Sequence, residues 1–373
     1  MTRSSKLAEE TEKRKADHIR ICLNESAQAR KTTTGFEDVS LVHRALPEIN
    51  KHNIDLSTTV FGHKFAAPII VGAMTGGTAE ATRINSAIAE AVETLKLGMG
   101  VGSQRAAIEN TKLEKTFAIA RKKAPNAFLV ANIGGIQLVH GYGLKEVKKA
   151  IEIIGADAVA IHLNPLQEAV QPEGQTSFKG VLAKICEIAS TVDKPVIVKE
   201  TGSGIAAEEA RKLEAAGVKG IDISGAGGTS FAAVEYYRAK GKENSVQHFL
   251  GDAFWDWGTP TAASLIETTQ TVKLPVIASG GVRSGVDIAK ALALGASLAS
   301  LSQPVLQAAV KGVKETEGTL SSVMEELRNA MFLVGAGNRE QLAKAPVVVT
   351  GKIAEWLRAR GFNVESYARR GAC

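Results

Sequence analysis

Eight short apolar or β-branched runs constrain the fold of this 373-residue chain more than any other feature. Helix-like segments, such as 79–95, 143–154, 205–216 and 284–294, separate them. Continuous apolar runs without alternation are typical of a parallel sheet buried on both faces. Eight alternating strands and helices predict an α/β protein and favour a closed (β/α)₈ TIM barrel over an open doubly wound sheet. The predicted strands are 68–74, 97–103, 128–134, 158–164, 195–201, 220–226, 275–281 and 298–303.

Residues 1–66 and 226–258 do not fit this repeat. Residues 1–66 predict an arm: a charged helix through about residue 25, then a loop, then a hairpin at 58–65. Residues after 304 predict two or three further helices that close the barrel or pack on it. We therefore expect an arm that contributes substrate ligands, a barrel at 67–350 and a tail at 351–373.

The second exception is residues 226–258, which read as an unusually long loop after the sixth strand. Insertions of this length are often lids or binding loops. This one contains Phe254, Trp255, Asp256 and Trp257. The aromatic group suits a cover over an apolar ligand, and an interface with another subunit is nearly as well supported.

Composition excludes several classes of protein. No apolar run reaches membrane-spanning length, and the N-terminus lacks the apolar core of a secretory signal, so a cytoplasmic protein is expected. Cys22, Cys186 and Cys373 are too few and too scattered for a disulfide framework or a zinc site, and Cys186 is predicted to pack in the core. The net charge of +6 suits an anionic small substrate, because the basic residues are spread along the chain and do not indicate nucleic acid.

Polar residues stand where the predicted strands end. The segments are Met74-Thr75-Gly76-Gly77, Ser103-Gln104-Arg105, Asn132, His162 to Glu168, and Lys199-Glu200-Thr201. Any one of them taken alone is explained by a turn or a helix cap. In a (β/α)₈ barrel, however, the carboxyl ends of the strands carry the active site, so their coincidence predicts one there.

Glycine-rich turns follow the sixth and seventh strands, at 224–230 and 279–285. Backbone N–H groups at such turns, with a helix N-terminus behind them, form a phosphate site, and Arg283 adds a bidentate contact. The spacing fits neither a dinucleotide fingerprint nor a P-loop. Sugar-phosphate and flavin mononucleotide enzymes share such sites, and Lys199 favours flavin because a cation stabilises the anionic reduced ring.

Several separate motifs make the chain resemble the type 2 isopentenyl-diphosphate isomerases, which are FMN-dependent enzymes of isoprenoid biosynthesis. The resemblance runs from about residue 13 to about 345, and HLNPLQE combined with RKADH is its most specific part. The motifs are RKADH at 14–18, AMTGG at 73–77, GSQR at 102–105, HLNPLQE at 162–168, SGAGGTS at 224–230 and GGVRSG at 280–285.

The resemblance implies a role for each motif. For FMN it implies contacts from Ala73, Met74, Thr75, Ser103, Asn132, Lys199, Ser224, Thr229, Gly281, Val282, Arg283, Ala299 and Ser300. For the substrate it implies Arg14, Lys15, His18, Ser103, Gln104, Arg105, His162, Asn164 and Gln167. Gln167 would lie beside the reacting carbons as the catalytic residue, and Glu168 would bind Mg²⁺.

The implied reaction interconverts isopentenyl and dimethylallyl diphosphate, with reduced FMN, Mg²⁺ and NAD(P)H as the reductant. Reduced flavin can donate a proton at N5 and take one back with no net redox change. A homotetramer or homo-octamer is also expected, with no nucleic acid or membrane partner. The alternative is an FMN-dependent 2-hydroxy-acid oxidase, which needs a His base and an Arg close together after strand six or seven. Here His248 has no adjacent Arg.

Overall fold

A closed barrel of eight parallel strands forms the centre of the molecule, as the sequence predicts. The computed structural model describes residues 3–239 and 246–371, with side chains from residue 14 onward. Four of the strands lie outside the barrel: β1 (Val39–Leu41), β2 (Thr58–Val60), β3 (His63–Phe65) and β12 (Val347–Val349). The barrel strands are β4 (Ile69–Val71), β5 (Gly98–Gly100), β6 (Phe128–Gly134), β7 (Ala158–His162), β8 (Val196–Lys199), β9 (Gly220–Asp222), β10 (Val276–Ala278) and β11 (Leu298–Leu301).

Helices surround the barrel and extend it at both ends of the chain. Three short 3₁₀ turns add to them at Phe36–Asp38, Lys51–Asn53 and Thr111–Leu113. The helices are α1 (Arg3–Asn24), α2 (Ala79–Leu95), α3 (Arg105–Glu109), α4 (Lys115–Lys123), α5 (Gly135–Leu138), α6 (Leu144–Ile154), α7 (Pro165–Val170), α8 (Val181–Thr191), α9 (Ala207–Ala215), α10 (Phe231–Arg238), α11 (Val246–Ala253), α12 (Thr261–Thr271), α13 (Gly285–Ala293), α14 (Gln303–Ala309), α15 (Val313–Leu333), α16 (Arg339–Leu342), α17 (Gly351–Ala359) and α18 (Glu365–Ala368).

The hairpin of β2 and β3 closes the amino-terminal end of the barrel. Phe65 is fully buried, and its ring meets Phe128 at 5.4 Å. Phe61, in the turn, stacks on the same Phe128 ring at 5.9 Å. A Cβ on Gly98 would lie 2.9 Å from the Phe65 ring, so the glycine makes room for this plug. With that end filled by aromatic rings, ligands have access from the carboxyl ends of the strands.

The part of the chain after the last barrel strand contains more helices than the two or three that the sequence predicts. Five helices, α14 to α18, occur within the described part after residue 302, together with β12. Strand β12 pairs antiparallel with β1, so the arm and the segment after the last barrel strand form a two-stranded sheet. Asp38 accepts a hydrogen bond from the Ile353 N–H at 3.1 Å, which ties α17 to the arm.

The segment at 226–258 is not a loop, and that prediction is wrong. It contains α10 and α11, which pack against each other. The residues FAAVEYYR form α10, in which Ala232, Ala233 and Val234 are buried, and Ser230 caps its N-terminus by accepting from the Ala233 N–H. Each of these helices has eight residues, which is too short for a helical period to be read from the sequence.

The cysteines differ in their surroundings. Cys186 is exposed on α8, so the prediction that it packs in the core is wrong. Cys22 lies on α1, and burial raises the pKa of its thiol to about 12. Cys373 lies outside the described residues. Within the described ranges, no helix is both long and apolar enough to cross a bilayer.

Candidate active site

A cavity of about 260 Å³ opens at the carboxyl ends of the barrel strands. It brings together residues from the arm, from every barrel strand end and from the insertion after β9, as expected for this fold. The predicted site residues in its wall are Arg14, Lys15, His18, Ala73, Met74, Thr75, Ser103, Arg105, Asn132, His162, Asn164, Gln167, Glu168, Lys199, Ser224, Thr229, Gly281, Val282, Arg283 and Ser300.

Two predicted residues lie behind the wall. The Gln104 side chain is fully buried and turns away from the cavity. Its amide donates to the Ala150 carbonyl at 2.9 Å and accepts from the Asn132 N–H at 2.9 Å. Gln104 therefore supports Asn132 and is not placed to contact a substrate. Ala299 is also fully buried, and its neighbour Ser300 faces the cavity.

The two glycine-rich turns touch each other at the cavity. A Cβ on Gly228 would lie 2.5 Å from the Gly281 nitrogen, and one on Gly280 would lie 2.1 Å from the Gly225 carbonyl oxygen. Gly280 and Gly281 have φ of 94° and 71°, a region that disfavours side chains. Ser224 and Thr229 of the first turn and Gly280, Gly281 and Arg283 of the second turn line the cavity together, so one bound anion can contact both turns. This arrangement fits the phosphate end of FMN.

A neutral histidine lies among the cations of the cavity. His162 Nδ1 is 2.9 Å from Asn132 Oδ1, and the Asn132 amide nitrogen donates to the Val101 carbonyl at 3.1 Å. The oxygen of Asn132 is therefore the acceptor, and Nδ1 of His162 carries the hydrogen. Burial, then the charges of Lys199, Lys15 and Arg14, lower the pKa of His162 to about 3. Nε2 of this ring is consequently a hydrogen-bond acceptor.

The arm supplies a cationic wall to the cavity of its own chain. Lys15 Nζ donates to the Ser103 carbonyl at 2.6 Å and lies 4.9 Å from the centre of the Phe117 ring. Burial, then repulsion from Arg14, lowers the pKa of Lys15 to about 7. Burial also lowers the pKa of Arg14. Clustered cations that lose their hydration are the arrangement that binds a multiply charged anion.

A chain of charged groups holds the arm against the insertion. His18 Nε2 lies 3.0 Å from Glu235 Oε1, and Glu235 is fully buried on α10. Arg238 pairs with Glu235 and, at 2.7 Å, with Glu173. Glu173 in turn lies 3.7 Å from Arg14. His18, predicted as a substrate-binding residue, makes a protein contact that fixes the position of α1.

The HLNPLQE segment forms the turn into α7, with Pro165 at its first position. Asn164 Nδ2 donates to Gln167 Oε1 at 3.2 Å and to Glu168 Oε1 at 3.1 Å. Glu168 Oε2 accepts from the Gln171 side chain at 2.8 Å and from the Gln175 N–H at 2.7 Å. A carboxylate has about four lone-pair positions, so Oε1 retains one for a further ligand.

Among the described residues of the wall, two buried oxygens have no hydrogen-bond partner: Asn164 Oδ1 and Thr75 Oγ1. Such atoms are costly unless a ligand or water pairs with them. Among the described residues, no group of three or more acidic, His or Cys side chains could enclose a metal ion. One carboxylate beside an amide oxygen still fits Mg²⁺, which keeps several waters and uses substrate phosphate oxygens as ligands. The orphaned Thr75 hydroxyl fits a polar edge of a flavin.

Several wall residues escaped the sequence prediction, including Asp222, Gln171 and Phe231. For Asp222 a signal was present, because an acid inside the apolar run GIDIS is unusual for a buried strand. Gln171 continues the spacing of Asn164 and Gln167 along α7 by one further turn. Phe231 had no signal, since only the tertiary arrangement brings the insertion to the cavity.

The aromatic group of the insertion lies beside the main cavity. Trp255 is buried against Tyr236 and Tyr237, and its indole nitrogen donates to the Gln28 carbonyl at 2.8 Å. Trp255 and Trp257 line a narrow cleft that Gln167 also borders. Trp257 is 63% exposed. The two roles predicted for this group, ligand cover and subunit interface, both remain predictions.

Among the described residues that follow the sixth and seventh barrel strands, no histidine lies in the cavity wall beside an arginine, as a 2-hydroxy-acid oxidase would require. His248 stacks on Tyr236 at 4.0 Å on the insertion and is not in the wall. Among the described residues, the histidines that line the cavity are His18 and His162. One pairs with Glu235, and the other is held neutral by burial and by neighbouring cations.

Comparison with solved structures identifies the same fold in oxidases. Mandelate oxidase bound to (S)-2-phenylpropionate superposes with a TM-score of 0.60 and 20% identity, covering 92% of this chain and 98% of that one. Lactate oxidase of Pediococcus acidilactici gives a TM-score of 0.63 and 18% identity, covering 93% and 94%. At these identities the likeness shows the barrel architecture alone.

Sequence comparison is more specific. The FMN-dependent dehydrogenase family model matches residues 8–131 and 145–349. The isopentenyl-diphosphate delta-isomerase of Methanosarcina barkeri is 49% identical over 97% of this chain and 98% of its own length. That of Pyrococcus furiosus is 50% identical over 96% and 92%. The chain therefore belongs to the FMN-dependent dehydrogenase family and, within it, to the type 2 isopentenyl-diphosphate delta-isomerases.

Proposed function

We propose that this protein interconverts isopentenyl and dimethylallyl diphosphate, with reduced FMN and Mg²⁺ bound in the cavity at the carboxyl end of the barrel. The observation that carries the proposal is that one cavity wall contains both halves of the required site. The glycine turns with Lys199 suit a flavin phosphate and ring. Arg14, Lys15 and Arg105 suit a diphosphate, and the Gln167–Glu168 pair lies in the same wall.

The two diphosphates differ by one proton moved between carbons. An alkene is a weak base, so its protonation needs a well-placed acid and stabilisation of a carbocation-like state. When bound, reduced FMN supplies a nitrogen that can donate a proton and accept one with no net redox change. The residues proposed to hold FMN are Ala73, Met74, Thr75, Ser103, Asn132, Lys199, Ser224, Thr229, Gly281, Val282, Arg283 and Ser300.

The arm and β5 turn supply the diphosphate site. Arg14 and Arg105 offer planar guanidinium groups that bind phosphate oxygens in pairs. Lys15 adds an ammonium whose charge the bound anion stabilises against burial. Because all three line one cavity within a single chain, the arm is proposed to serve the active site of its own chain. Anion binding would also fix the arm by satisfying charges that otherwise repel one another.

Glu168 and Asn164 are the proposed protein ligands near Mg²⁺. The metal would neutralise diphosphate oxygens as the carbon chain reacts. Gln171 and the Gln175 N–H hold Glu168 Oε2, which orients the carboxylate. The Asn164 amide donates hydrogen bonds to both Glu168 and Gln167. One amide would therefore position the residue near Mg²⁺ and the residue beside the reacting carbons.

Gln167 is proposed to orient the reacting carbons or relay a proton to water. Its amide cannot act as an acid near neutral pH. Its Oε1 accepts from Asn164, and its NH₂ group lies 3.5 Å from Gln171 Oε1, a long contact that a ligand can replace. His162, neutral and with Nε2 as an acceptor, would bind a hydroxyl or N–H of a ligand without adding charge.

The test is isomerisation of isopentenyl diphosphate by the purified protein with FMN, Mg²⁺ and a reductant, and with each omitted in turn. We expect turnover only with all three, a loss of at least 100-fold in kcat for Gln167→Ala, and unchanged activity for Gln270→Ala on α12. Glu168→Gln should raise the Mg²⁺ concentration required. A yellow protein that oxidises 2-hydroxy acids and does not isomerise the diphosphate would refute the proposal.

NAD(P)H is the proposed reductant of the flavin, and a homotetramer or homo-octamer is the proposed assembly. Both follow from the resemblance to the isomerase family. Reduction of the bound flavin by NADPH under anaerobic conditions tests the first, and light scattering of the purified protein tests the second.

A further inference from the structure

Asp222 is a carboxylate in a cavity that is otherwise cationic. Among the described lining residues, Glu168 and Asp222 are the only acids, against the basic side chains of Arg14, Lys15, Arg105, Lys199 and Arg283. Glu168 has a role in the proposed metal site. Asp222 has none, although it is 8% exposed and lies at the end of β9, where it faces the cavity. A buried acid at a site for two anionic ligands calls for a physical reason.

Asp222 lies next to Lys199 across two neighbouring strands of the barrel. The two residues are register partners on the neighbouring parallel strands β8 and β9, and both side chains line the cavity. Lys199 Nζ donates to the Glu200 carbonyl. The Glu200 N–H donates in turn to the Asp222 carbonyl at 3.1 Å. Main-chain bonds thus hold the lysine and the aspartate at adjacent positions of one rim.

A serine pair fixes the Asp222 carboxylate. Ser279 Oγ donates to Asp222 Oδ1, and the Ser224 N–H donates to the same Ser279 Oγ at 2.8 Å. Ser224 has a φ of 37°, an unusual conformation for a residue other than glycine. Burial raises the pKa of Asp222, while Lys199 and then the two serines act to lower it. The unusual backbone of Ser224 and the hydrogen bonds from Ser224 to Ser279 and from Ser279 to Asp222 hold this carboxylate in one orientation.

We propose that Asp222 is a positioning residue which, through Lys199, sets the reduction potential of the bound flavin. This inference rests on the proposed function, in which Lys199 lies near the flavin ring. A lysine there stabilises the anionic reduced form and raises the potential. A carboxylate beside it offsets part of that charge, so the flavin is kept less readily reduced than Lys199 alone would make it. Glu200, the next acid along, instead accepts four backbone N–H bonds of residues 201–204 and turns away from the cavity.

The test is the midpoint potential of FMN in the Asp222→Asn holoprotein, measured by equilibration with a reference dye. Removal of one negative charge should favour the reduced flavin by about tenfold, which for a two-electron couple is a rise of about 30 mV. Asp222→Glu, which keeps the charge, and Ser279→Ala, which removes only the hydrogen bond, should change the potential far less. Lys199→Met should lower the midpoint potential. If Asp222 acts through Lys199, adding Asp222→Asn to Lys199→Met should raise the potential by less than Asp222→Asn does in the wild-type protein.

The outcomes separate this inference from the proposed function. Protein that binds FMN and isomerises the diphosphate, but shows the same potential in wild type and Asp222→Asn, overturns the role of Asp222 alone. Protein that binds no FMN overturns both. A full rise that persists without Lys199 refutes the route through the lysine. If Asp222→Asn does not fold, Asp222→Ser, which is also neutral but smaller, decides the question by the same measurement.

Discussion

Lys15 is the side chain whose protonation we expect to depend most strongly on bound anion. Burial, followed by repulsion from Arg14, lowers its pKa from 10.5 to about 7. At pH 8 about nine-tenths of the free protein therefore carries a neutral Lys15. A diphosphate bound beside the amine favours the charged form and returns the pKa toward its ordinary value. Binding at pH 8 should thus take up about 0.9 proton per site, but only about 0.1 at pH 6.

The same shift affects the stability of the free protein. A pKa of about 7 in place of 10.5 corresponds to at most about 5 kcal/mol of destabilisation when Lys15 is charged. Partial exposure of the side chain reduces this to about 2 kcal/mol. Because the unfolded chain binds more protons between pH 7 and 10.5, stability rises with pH in that window. Below pH 7 the destabilisation is fully present.

The assay is calorimetric titration of the oxidised holoprotein with isopentenyl diphosphate at pH 8. Two buffers of different ionisation enthalpy give the proton uptake, and without a reductant no turnover is expected. In Lys15→Met the uptake should fall near zero and the affinity should drop about 100-fold. Arg105→Met is the matched control: its affinity should also drop, but its uptake should persist because a guanidinium stays charged. Wild-type protein without uptake at pH 8, or uptake that survives in Lys15→Met, would refute the reasoning.

Two further predictions concern the phosphate cradle and the tail. Gly281→Ala places a Cβ 2.4 Å from the Thr34 methyl carbon at a φ of 71°. We therefore expect the affinity for FMN, measured by flavin fluorescence, to fall at least tenfold. Gly141→Ala, whose Cβ would have no atom within 4 Å, should change that affinity little. Arg360→Leu leaves the 1%-exposed Glu267 side chain without its guanidinium partner, and urea unfolding should show a loss of about 2 kcal/mol. Arg358→Leu, whose partner Glu365 is exposed, should leave the unfolding midpoint nearly unchanged, and equal midpoints for the two variants would contradict the argument.

Much of the fold and of the site was predictable from local pattern. Each barrel strand falls inside a predicted apolar run, and α2 spans the predicted residues 79–95. The location of the site was predictable because the carboxyl ends of all eight parallel strands meet at one rim of the barrel, where this fold carries its active site. For this reason Asn132, His162 and Lys199 were predictable from their positions after the strands.

Other features depended on which way a side chain turns. Ser103 and Gln104 are adjacent in the sequence, yet Ser103 faces the cavity and Gln104 faces the buried Ala150 carbonyl. The direction in which a side chain points at a strand end depends on the backbone torsions of the turn, and the residue types do not specify those torsions. The pairing of His18 with Glu235 similarly joins residues 217 positions apart.

The sequence by itself therefore determined the barrel, the rim that bears the site and most residues that line it, because periodicity and chain order are local properties. Tertiary structure decided the rest. It converted the segment at 226–258 into two packed helices, joined β1 to β12 across the whole chain and put Asp222 beside Lys199. These outcomes depend on long-range packing and on strand register, in which one residue of slip exchanges the inner and outer faces.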